Sequence, residues 1–507
     1  MNAQSSLVSA RLLALPPAKT LVLTPSDRAR RAFAALWADA ALRAAGKAAV
    51  MLPTFDTLNG YAARLWSEAQ LFGVNQDPRS LIAPVVEQAL WRHIAQQLTG
   101  ATSAESAALA AGFAEAWQLE HFHVASADSP SMSRISLSSN GELYREARRR
   151  FASALQRQQA ITAAELLNNL NASEWVERMV PYEHIITTPS FIGRSAEEAF
   201  LSKLASYTSE PHFNMGYMGN DETANAEIAS LSRHQFSNER EERRAAIAWA
   251  TQRLQHHVSA KHPQRIAIVV PELQRERSAW QRALSATRLD YNLSLGLPVS
   301  KHPWAAAGFT LVGALVSSIP VEIVSAALRH ARWGRTGDSL RAISYREREL
   351  LERGVSQCTL DEFCSEHVPA LRSIRDRISQ ARGAFSLRRE RLSRGQWSSV
   401  FEKLINALSE RDSALDSGTF QLRASLLESI ETWIELDDWL PAVTLVQAQQ
   451  ELIEITDQSA FQPEGSDAPL QVMGLLEAAG VPFDAMWFCG STDRVLPERQ
   501  RANPFLS

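Results

Sequence analysis

The chain has 507 residues, of which 45% are hydrophobic and 21% are charged; this balance is typical of a globular protein and excludes a disordered one. The formal net charge of −4 gives no overall attraction for nucleic acid, so an anionic partner would need local basic patches. Three cysteines without a CxxC motif exclude a disulfide framework and a zinc-finger pattern.

The length predicts several domains, because single hydrophobic cores stop growing near ~250 to 300 residues. No stretch carries the ~18 apolar residues of a membrane span, and the N-terminus lacks the apolar core of a signal peptide. We therefore expect no membrane contact and a cytoplasmic location.

Short apolar runs predict strands of buried parallel sheets, because a strand covered on both faces is apolar throughout. In chain order these runs are residues 20–23, 50–52, 184–187, 265–270, 470–473 and 485–489. Helical patterns occupy residues 27–44, 58–71 and 239–254. Strands that alternate with helices favour an α/β fold with right-handed crossovers.

The predicted strands form two groups, and a long segment rich in Ala, Leu, Glu, Gln and Arg interrupts each group. We therefore predict two α/β cores, each with a mainly helical insertion. The predicted boundaries are 1–75 and 176–235 for the first core, 76–175 for its insertion, 236–302 and 461–507 for the second core, and 303–460 for its insertion.

Residues 470–490 read LQVMGLLEAAGVPFDAMWFCG, which is a strand, a glycine turn, a Phe-Asp pair and a second strand. This order resembles the fifth motif of UvrD-type superfamily 1 helicases. The matching skeleton is Gly480, Phe483, Asp484, Gly490 and Pro497. Where the helicase motif has Thr, His, Lys and Glu, this chain has Gly474, Leu476, Ala479 and Pro482, whose side chains cannot donate a charged hydrogen bond.

Two N-terminal segments, LVLTPSDRARRAF and MLPTFDTLNGYAARLW, resemble helicase motifs Ia and Ib, whose loops lie against single-stranded DNA. The arginines follow a helix start, which favours anions, although a solvated helix face explains them equally well. The resemblance implies DNA contacts at Thr24, Ser26, Arg28, Arg31, Thr54 and Phe55.

An ATP-driven helicase needs a GxxxxGK[ST] loop before these segments, because glycine-rich backbone must wrap the phosphates. Gly46 is the first glycine of the chain, and AGKAAV lacks the Ser or Thr that would hold magnesium. After the predicted strand at 184–187, Thr187, Thr188 and Pro189 stand where an acidic pair would bind that ion. We expect no ATP hydrolysis, no cofactor, no metal site and no catalytic residue.

Over most of its length the chain resembles the AddB-like probable DNA repair proteins, in which a degenerate helicase region precedes a PD-(D/E)XK nuclease domain. The resemblance implies two RecA-like cores of P-loop NTPase type in an ATPase-inactive module. Such a module would bind single-stranded DNA or a duplex end during double-strand-end processing, with a partner helicase-nuclease subunit. We expect the exonuclease domain, and any metal ion or iron-sulfur cluster, to lie beyond residue 507.

Two further basic groups are candidates for phosphate contacts with base stacking on an indole, or else for plain exposed helices. The first is Arg332, Trp333 and Arg335, beside Arg329. The second is Arg388 and Arg389, followed by Arg391, Arg394 and Trp397. Glutamates and arginines alternate over residues 239–244 and predict ion pairs along one exposed helix.

The alternative to DNA binding is a protein-interaction scaffold, in which the helicase fold binds a partner helicase subunit and never contacts nucleic acid. The net acidic charge favours this hypothesis. Most tryptophans, including Trp91, Trp117 and Trp433, occupy amphipathic helical patterns and are predicted to be core residues.

Overall fold

A computed structural model describes residues 8, 10–46, 48–100, 103–122, 138–188, 195–208, 213–214, 231–256, 264–294, 297–330, 337–364, 371–372, 376, 380, 390–408, 417–458, 460–461, 468–493, 495 and 502–506. These residues form α-helices and mainly parallel β-strands, so the chain has a mixed α/β fold.

The α-helices are α1 (Ala10–Leu13), α2 (Asp27–Ala45), α3 (Leu58–Leu71), α4 (Pro84–Thr99), α5 (Ser103–Phe122), α6 (Ser139–Arg157), α7 (Ala163–Ala172), α8 (Ser195–Ser206), α9 (Glu239–His256), α10 (Leu273–Ser285), α11 (Pro303–Gly313), α12 (Val321–Arg329), α13 (Gly337–Glu352), α14 (Leu360–Phe363), α15 (Arg394–Leu408), α16 (Ser417–Ile434), α17 (Leu445–Gln458) and α18 (Leu475–Ala478).

The strands are β1 (Thr20–Thr24), β2 (Thr54–Thr57), β3 (Ser80–Leu81), β4 (Ala160–Ile161), β5 (His184–Thr187), β6 (Phe213–Asn214), β7 (Ile266–Val269), β8 (Tyr291–Leu293), β9 (Leu297–Pro298), β10 (Ile319–Pro320), β11 (Gln357–Cys358), β12 (Ala460–Phe461), β13 (Leu470–Met473) and β14 (Ala485–Phe488).

The first large sheet has the order β2-β1-β5-β6, and all its strands are parallel. Leu21 and Leu23 of β1 pack on α3, α7 and α8. Val22, between them in sequence, packs on the opposite face with Phe33 and Trp37 of α2. Both faces of β1 are therefore covered by helices, which is why an uninterrupted apolar run forms this strand.

The second large sheet has the order β14-β7-β13-β8 and is also entirely parallel. Ile266 and Ile268 of β7 pack with α9 and α10 on one face. Ala267 and Val269 pack with Phe483 and other apolar residues on the opposite face. Because crossover connections of parallel strands place helices on the faces, this arrangement again buries both sides of the central strand.

The chain divides into two compact units, residues 1–295 with 465–507, and residues 296–464. The first unit contains both four-stranded sheets, helices α1–α10 and α18. The second contains α11–α17 and the antiparallel pairs β9 with β12 and β10 with β11. It includes the predicted helical insertion 303–460, and the other predicted boundaries stay predictions.

Helices α4–α7 pack together within the first unit around an aromatic core. The rings of Trp91 and Phe151 stack with centroids 3.8 Å apart, and Trp117 lies edge-on to Phe151 at 5.2 Å. The indole N–H of Trp117 donates to Thr162 Oγ1 at 3.0 Å. Trp91, Trp117 and Trp433 are all buried, so the prediction that they are core residues is confirmed.

Most predicted strands are confirmed, but the one at 50–52 is wrong. Residues 50–52 have no regular secondary structure, and the side chain of Met51 is 70% exposed. The strand beside β1 is instead β2, whose Thr54 aligns with Leu21. Local hydrophobicity pointed to Val50, Met51 and Leu52, whereas pairing with β1 selects the more polar segment that follows.

Among the residues whose structure is described, no helix combines the length and the apolar character needed to cross a membrane.

Candidate functional site

The carboxyl end of β1 continues through a short turn into α2, and hydroxyl groups hold this turn together. Thr24 is fully buried, and its Oγ1 lies 3.2 Å from both Ser26 O and Asp56 O. Ser26 is the N-cap of α2, and its Oγ accepts from Ala29 N at 3.2 Å. The two hydroxyls predicted to contact DNA therefore build the strand-to-helix turn itself.

Arg28, in the first turn of α2, connects the two large sheets within the first unit. Its Nη1 donates to Ser294 Oγ, just after β8, and its Nη2 lies 3.5 Å from Gln471 Oε1 on β13. Asn292 Nδ2 also donates to Gln471 Oε1, at 2.9 Å. The carboxyl end of the first sheet is thus joined directly to the second sheet by side-chain hydrogen bonds.

The orientation of Gln471 is fixed by its own amide. Its Nε2 donates to Ala468 O at 2.8 Å, which turns Oε1 towards Asn292 and Arg28. The Gln471 side chain is buried within β13, so an unsatisfied carbonyl there would be costly. We call the contacts of Arg28 with Ser294 and Gln471 the Arg28 bridge. On β13 this bridge gives Arg28 a fixed, neutral carbonyl oxygen as its acceptor and not a carboxylate.

The electrostatic environment of Arg28 reflects this half-buried position. Burial lowers the pKa of the Arg28 guanidinium below its ordinary value, the nearby carboxylate of Glu477 opposes that change, and the charges of Arg31 and Arg265 add to it. The guanidinium groups of Arg31 and Arg265 thus lie near that of Arg28, and the Glu477 carboxylate partly offsets their charge. A phosphate group placed there would be favoured electrostatically.

Arg31 lies one turn further along α2 and differs from Arg28 in exposure. Its side chain is exposed, and it makes no ion pair with any residue in the described ranges. DNA contact by Arg28 or Arg31 stays a prediction. Of the two, Arg31 is the one whose guanidinium is accessible to a large ligand.

The β2 end of the first sheet presents Thr54 and Phe55, both half-buried. The Phe55 ring packs edge-on against Trp37, with centroids 5.8 Å apart. Asp56 accepts from Thr57 N at 2.8 Å and pairs with Arg64 at 2.8 Å. Phe55 is therefore occupied by an internal aromatic contact, and its stacking on a base stays a prediction.

Gly60, in the first turn of α3, permits a close approach beneath this strand end. A Cβ atom at Gly60 would lie 2.6 Å from Asp56 Oδ1 and 2.8 Å from Thr57 Oγ1. Thr57 Oγ1 accepts from Gly60 N at 3.0 Å as the N-cap of α3. The glycine is needed so that the carboxylate and the capping hydroxyl can both lie over the helix start.

Thr187 is the last residue of β5 and Thr188 follows it, next to the end of β1. Both are buried, and Thr188 N donates to Leu23 O at 3.1 Å. Within the described ranges, Thr188 Oγ1 has no hydrogen-bond partner. The described residues also contain no group of three or more His, Cys, Asp or Glu side chains that could hold a metal ion; Pro189 lies outside those residues.

The turn between β13 and β14 has the predicted skeleton. Gly480 has a φ of 77° and Gly490 a φ of 65°, and Phe483 packs beneath the second sheet. Asp484 Oδ2 accepts from Arg265 N, and Asp484 N donates to Arg265 O, both at 2.9 Å. Gly480 therefore forms a turn with positive φ and Phe483 makes a packing contact; that these residues are a helicase-type skeleton stays a prediction, and Pro497 lies outside the described residues.

Leu476 lies in α18, just past the carboxyl end of β13. Its side chain is 86% exposed, one residue after Leu475, which is 39% exposed. An apolar side chain is therefore presented at a strand end where ligands of parallel sheets usually bind.

The charged start of α9 is not the self-contained exposed face that the sequence predicted. Arg243 pairs with Glu276 of α10 at 2.7 Å, and both side chains are largely buried. Glu239 pairs with Arg275 of α10 at 2.8 Å. Glu242 Oε1 accepts from Gly490 N at 3.0 Å. These charges join α9 to its neighbours, so the prediction of pairing along one helix is wrong for them.

The basic groups of the second unit have different outcomes. Arg329 pairs with Glu347, whose Oε2 also accepts from Ser325 Oγ at 2.8 Å. Arg394 and Trp397 are buried, so both a phosphate-contact role and an exposed helix face are wrong for these two residues. Arg391 is exposed, and its Nε donates to Ala442 O at 3.1 Å. The other candidates lie outside the described residues, namely Arg332, Trp333, Arg335, Arg388 and Arg389.

Sequence reasoning did not identify Asn292, Ser294 or Gln471 as parts of a site. Gln471 carried the available signal, because it is the one polar residue of the apolar run LQVM. A polar side chain on a strand buried on both faces requires a hydrogen-bond partner. The sequence could not name Arg28 as that partner.

No family model matches the chain, and no curated protein matches it. Its function is therefore inferred from the fold and from the geometry around Arg28.

Proposed function

We propose that the chain is a helicase-like module of AddB-like type that binds DNA without hydrolysing ATP. In this proposal the two parallel sheets are RecA-like cores, and the module positions single-stranded DNA or a duplex end for a nuclease during double-strand-end processing and recombinational repair. Its partner is a helicase-nuclease subunit, its location is the cytoplasm, and the module itself has no cofactor.

The observation that carries the proposal is the bridge from Arg28 to Ser294 and Gln471. In a motor built from two such cores, nucleotide between the cores changes their separation during each cycle. Here side chains of the protein itself span from the first sheet to the second. A module whose two sheets are joined in this way is suited to holding its ligand in one fixed conformation. It is less suited to a cycle in which the two cores separate and approach again.

The local charge supports an anionic ligand. Arg31 and Arg265 lie close enough to Arg28 for their charges to act on it, and Arg31 is exposed near the start of a 19-residue helix. A helix start combines free backbone N–H groups with the positive end of the helix dipole. Backbone phosphates held in this way require no base contact and no particular sequence.

The test is fluorescence anisotropy of a labelled duplex with a single-stranded tail, titrated with the protein at several salt concentrations without nucleotide. We expect binding whose affinity falls steeply with salt, because phosphate contacts release counterions. Arg31→Gln should weaken binding by about tenfold at ~0.1 M salt. Arg43→Gln, at the other end of α2 and paired with Asp39, is the matched control and should bind like the unmodified protein.

Absence of DNA binding at low salt, or equal weakening by both substitutions, would contradict the proposal. ATP hydrolysis stimulated by single-stranded DNA would also overturn it.

The second candidate function is a protein-interaction scaffold that binds a partner helicase subunit and not DNA. Leu71 and Phe72, at the end of α3, are 81% and 68% exposed, and such adjacent apolar side chains suit a protein contact. If this function is correct, replacing both with Ser should abolish capture of the partner subunit, and the unmodified protein should not bind DNA even at low salt. DNA binding by the unmodified protein, or unchanged partner capture by the variant, would count against it.

A further inference from the structure

Residues 502–506 fill a pocket on the helical part of the first unit. Phe505 is 4% exposed and Asn503 is 7% exposed, whereas Pro504 between them is exposed. The Phe505 ring lies 4.8 Å from the Phe113 ring and 6.0 Å from the Tyr144 ring, centroid to centroid. The segment therefore presents two side chains to the helices and turns the proline outward.

The floor of this pocket is Gly112 of α5. A Cβ atom at Gly112 would lie 2.6 Å from Phe505 Cε2 and 3.3 Å from Cδ2. Any larger residue would displace the ring, since carbon atoms do not approach so closely. Glycine within a helix costs about 0.5 to 1 kcal/mol relative to alanine, so this helix gives up stability at the position where the ring sits.

Asn503 is bound through both ends of its amide. Its Nδ2 donates to Gly112 O at 3.0 Å and to Glu115 Oε2 at 2.9 Å. Its Oδ1 accepts from Phe505 N at 3.0 Å, and Leu506 N lies 3.3 Å from Asn503 O. The Asn503 amide thus closes the turn and also binds α5. Aspartate at this position could not do both, because it lacks the N–H donors and its charge would repel Glu115.

We propose that this pocket is a recognition site for an Asn-Pro-Phe turn, and that residues 503–505 occupy it as a releasable ligand within the same chain. The pocket walls belong to the aromatic core of α4–α6, where Trp91 stacks on Phe151, so contacts that do not involve the turn help to hold these walls in place. A ligand of three residues buries little surface and binds weakly by itself. Attachment to the same chain supplies an effective concentration in the millimolar range for a short tether.

The direct test uses a fluorescently labelled peptide of sequence RANPFLS and three forms of the full chain. In the first variant, Asn503→Ala and Phe505→Ala empty the pocket. We expect the peptide to bind this variant at least tenfold more tightly than the unmodified protein, whose pocket is occupied. Adding Gly112→Ala to the emptied variant should weaken peptide binding at least tenfold, because the new methyl group occupies the position of the ring.

Gly112→Ala is informative because it should not harm the helix, since alanine is the better helix former. Far-UV circular dichroism should therefore be unchanged while peptide binding is lost. A control peptide, RAAPALS, lacks both recognised side chains and should bind none of the three forms. Equal binding of RANPFLS to all three forms, or no binding to the folded emptied variant, would overturn the proposal.

If the emptied variant does not fold, hydrogen exchange of the unmodified protein tests whether residues 502–506 can leave the pocket. Excess RANPFLS added to the unmodified protein should increase hydrogen exchange in residues 502–506, because the free turn displaces the attached one. Exchange in α5 should stay unchanged, because its pocket remains filled. No change at 502–506 under a saturating peptide concentration would contradict a releasable ligand.

Discussion

Arg394 donates from Nε and Nη2 to the two carboxylate oxygens of Glu451, at 2.8 and 2.9 Å. The Arg394 side chain is 1% exposed, and Trp433 Nε1 donates to the same carboxylate at 2.9 Å. Asp437 accepts from Arg394 N at 2.6 Å and from Gly395 N at 2.8 Å. This arginine therefore joins α15, α16 and α17, and its planar guanidinium is required for the paired geometry.

Replacing Arg394 with lysine should destabilise the second unit by about 3 kcal/mol, because a buried lysine ammonium cannot pair with both oxygens of the half-buried Glu451 carboxylate. The measurement is urea denaturation followed by hydrogen exchange of peptides from α16 and α17. The matched control is Arg353→Lys, whose exposed pairing with Glu349 should change stability by less than about 0.5 kcal/mol. Equal effects of the two substitutions would contradict a structural role for Arg394.

Replacing Arg28 with alanine should loosen the contact between the two large sheets. Loss of a charged donor to two buried, uncharged acceptors costs about 2 kcal/mol, and Gln471 Oε1 then keeps only its hydrogen bond from Asn292. Hydrogen exchange should increase in peptides covering β8 and β13. Arg31→Ala, one turn away and exposed, is the control and should leave that exchange unchanged; faster exchange in both variants would refute the bridge.

Glu87 of α4 should make stability depend on pH. Burial raises the pKa of this carboxyl from 4.5 to about 7, the Trp91 indole opposes the rise, and Glu165 adds to it. The unfolded chain releases this proton near pH 4.5, so between about pH 4.5 and 7 the folded state binds more protons than the unfolded state. Stability should therefore fall as pH increases through this range, by up to about 3 kcal/mol.

The measurement for Glu87 is the urea midpoint at several pH values, compared with Glu87→Gln. The neutral amide cannot lose a proton, so the difference between the two proteins should grow in favour of the variant as pH rises and level off above about pH 7. A difference that stays constant with pH would show that Glu87 titrates normally.

Replacing Gly480 with alanine should cost about 1 to 2 kcal/mol, because its φ of 77° brings a Cβ atom too near the following carbonyl oxygen. Asparagine tolerates this conformation better than other residues. Gly480→Asn should therefore recover part of the loss in thermal denaturation. If alanine and asparagine are tolerated equally, the backbone conformation of this turn is not what requires glycine.

The strands that were predictable from sequence are those with a mainly apolar run. β1, β5, β7 and β13 are buried over most of their length, and β14 is apolar although its residues are only partly buried. β8 was missed because its three residues are only half-buried and include Asn292. β2 was misplaced because the exposed residues before it are more hydrophobic than the strand itself.

The candidate site was predictable only where it depends on local backbone geometry. Gly480 and the capping Ser26 have roles set by their immediate neighbours, and both could be inferred from short motifs. The contact between Arg28 and Gln471 joins residues 443 positions apart, and no local pattern encodes it. Arg394 shows the same limit, because a basic side chain near other arginines gave no sign of two acidic partners in distant helices.

The strand order of the second sheet has a consequence for synthesis on the ribosome. β7 pairs with β13 and β14, and β8 pairs with β13, so no two strands of this sheet are neighbours until β13 has been made. About 200 residues separate β7 from β13, and translation at ~5 to 20 residues per second takes ~10 to 40 s to make them. During that interval the nascent β7 segment has exposed apolar surface and unpaired backbone, and we expect this period to be the one in which the chain depends on a chaperone.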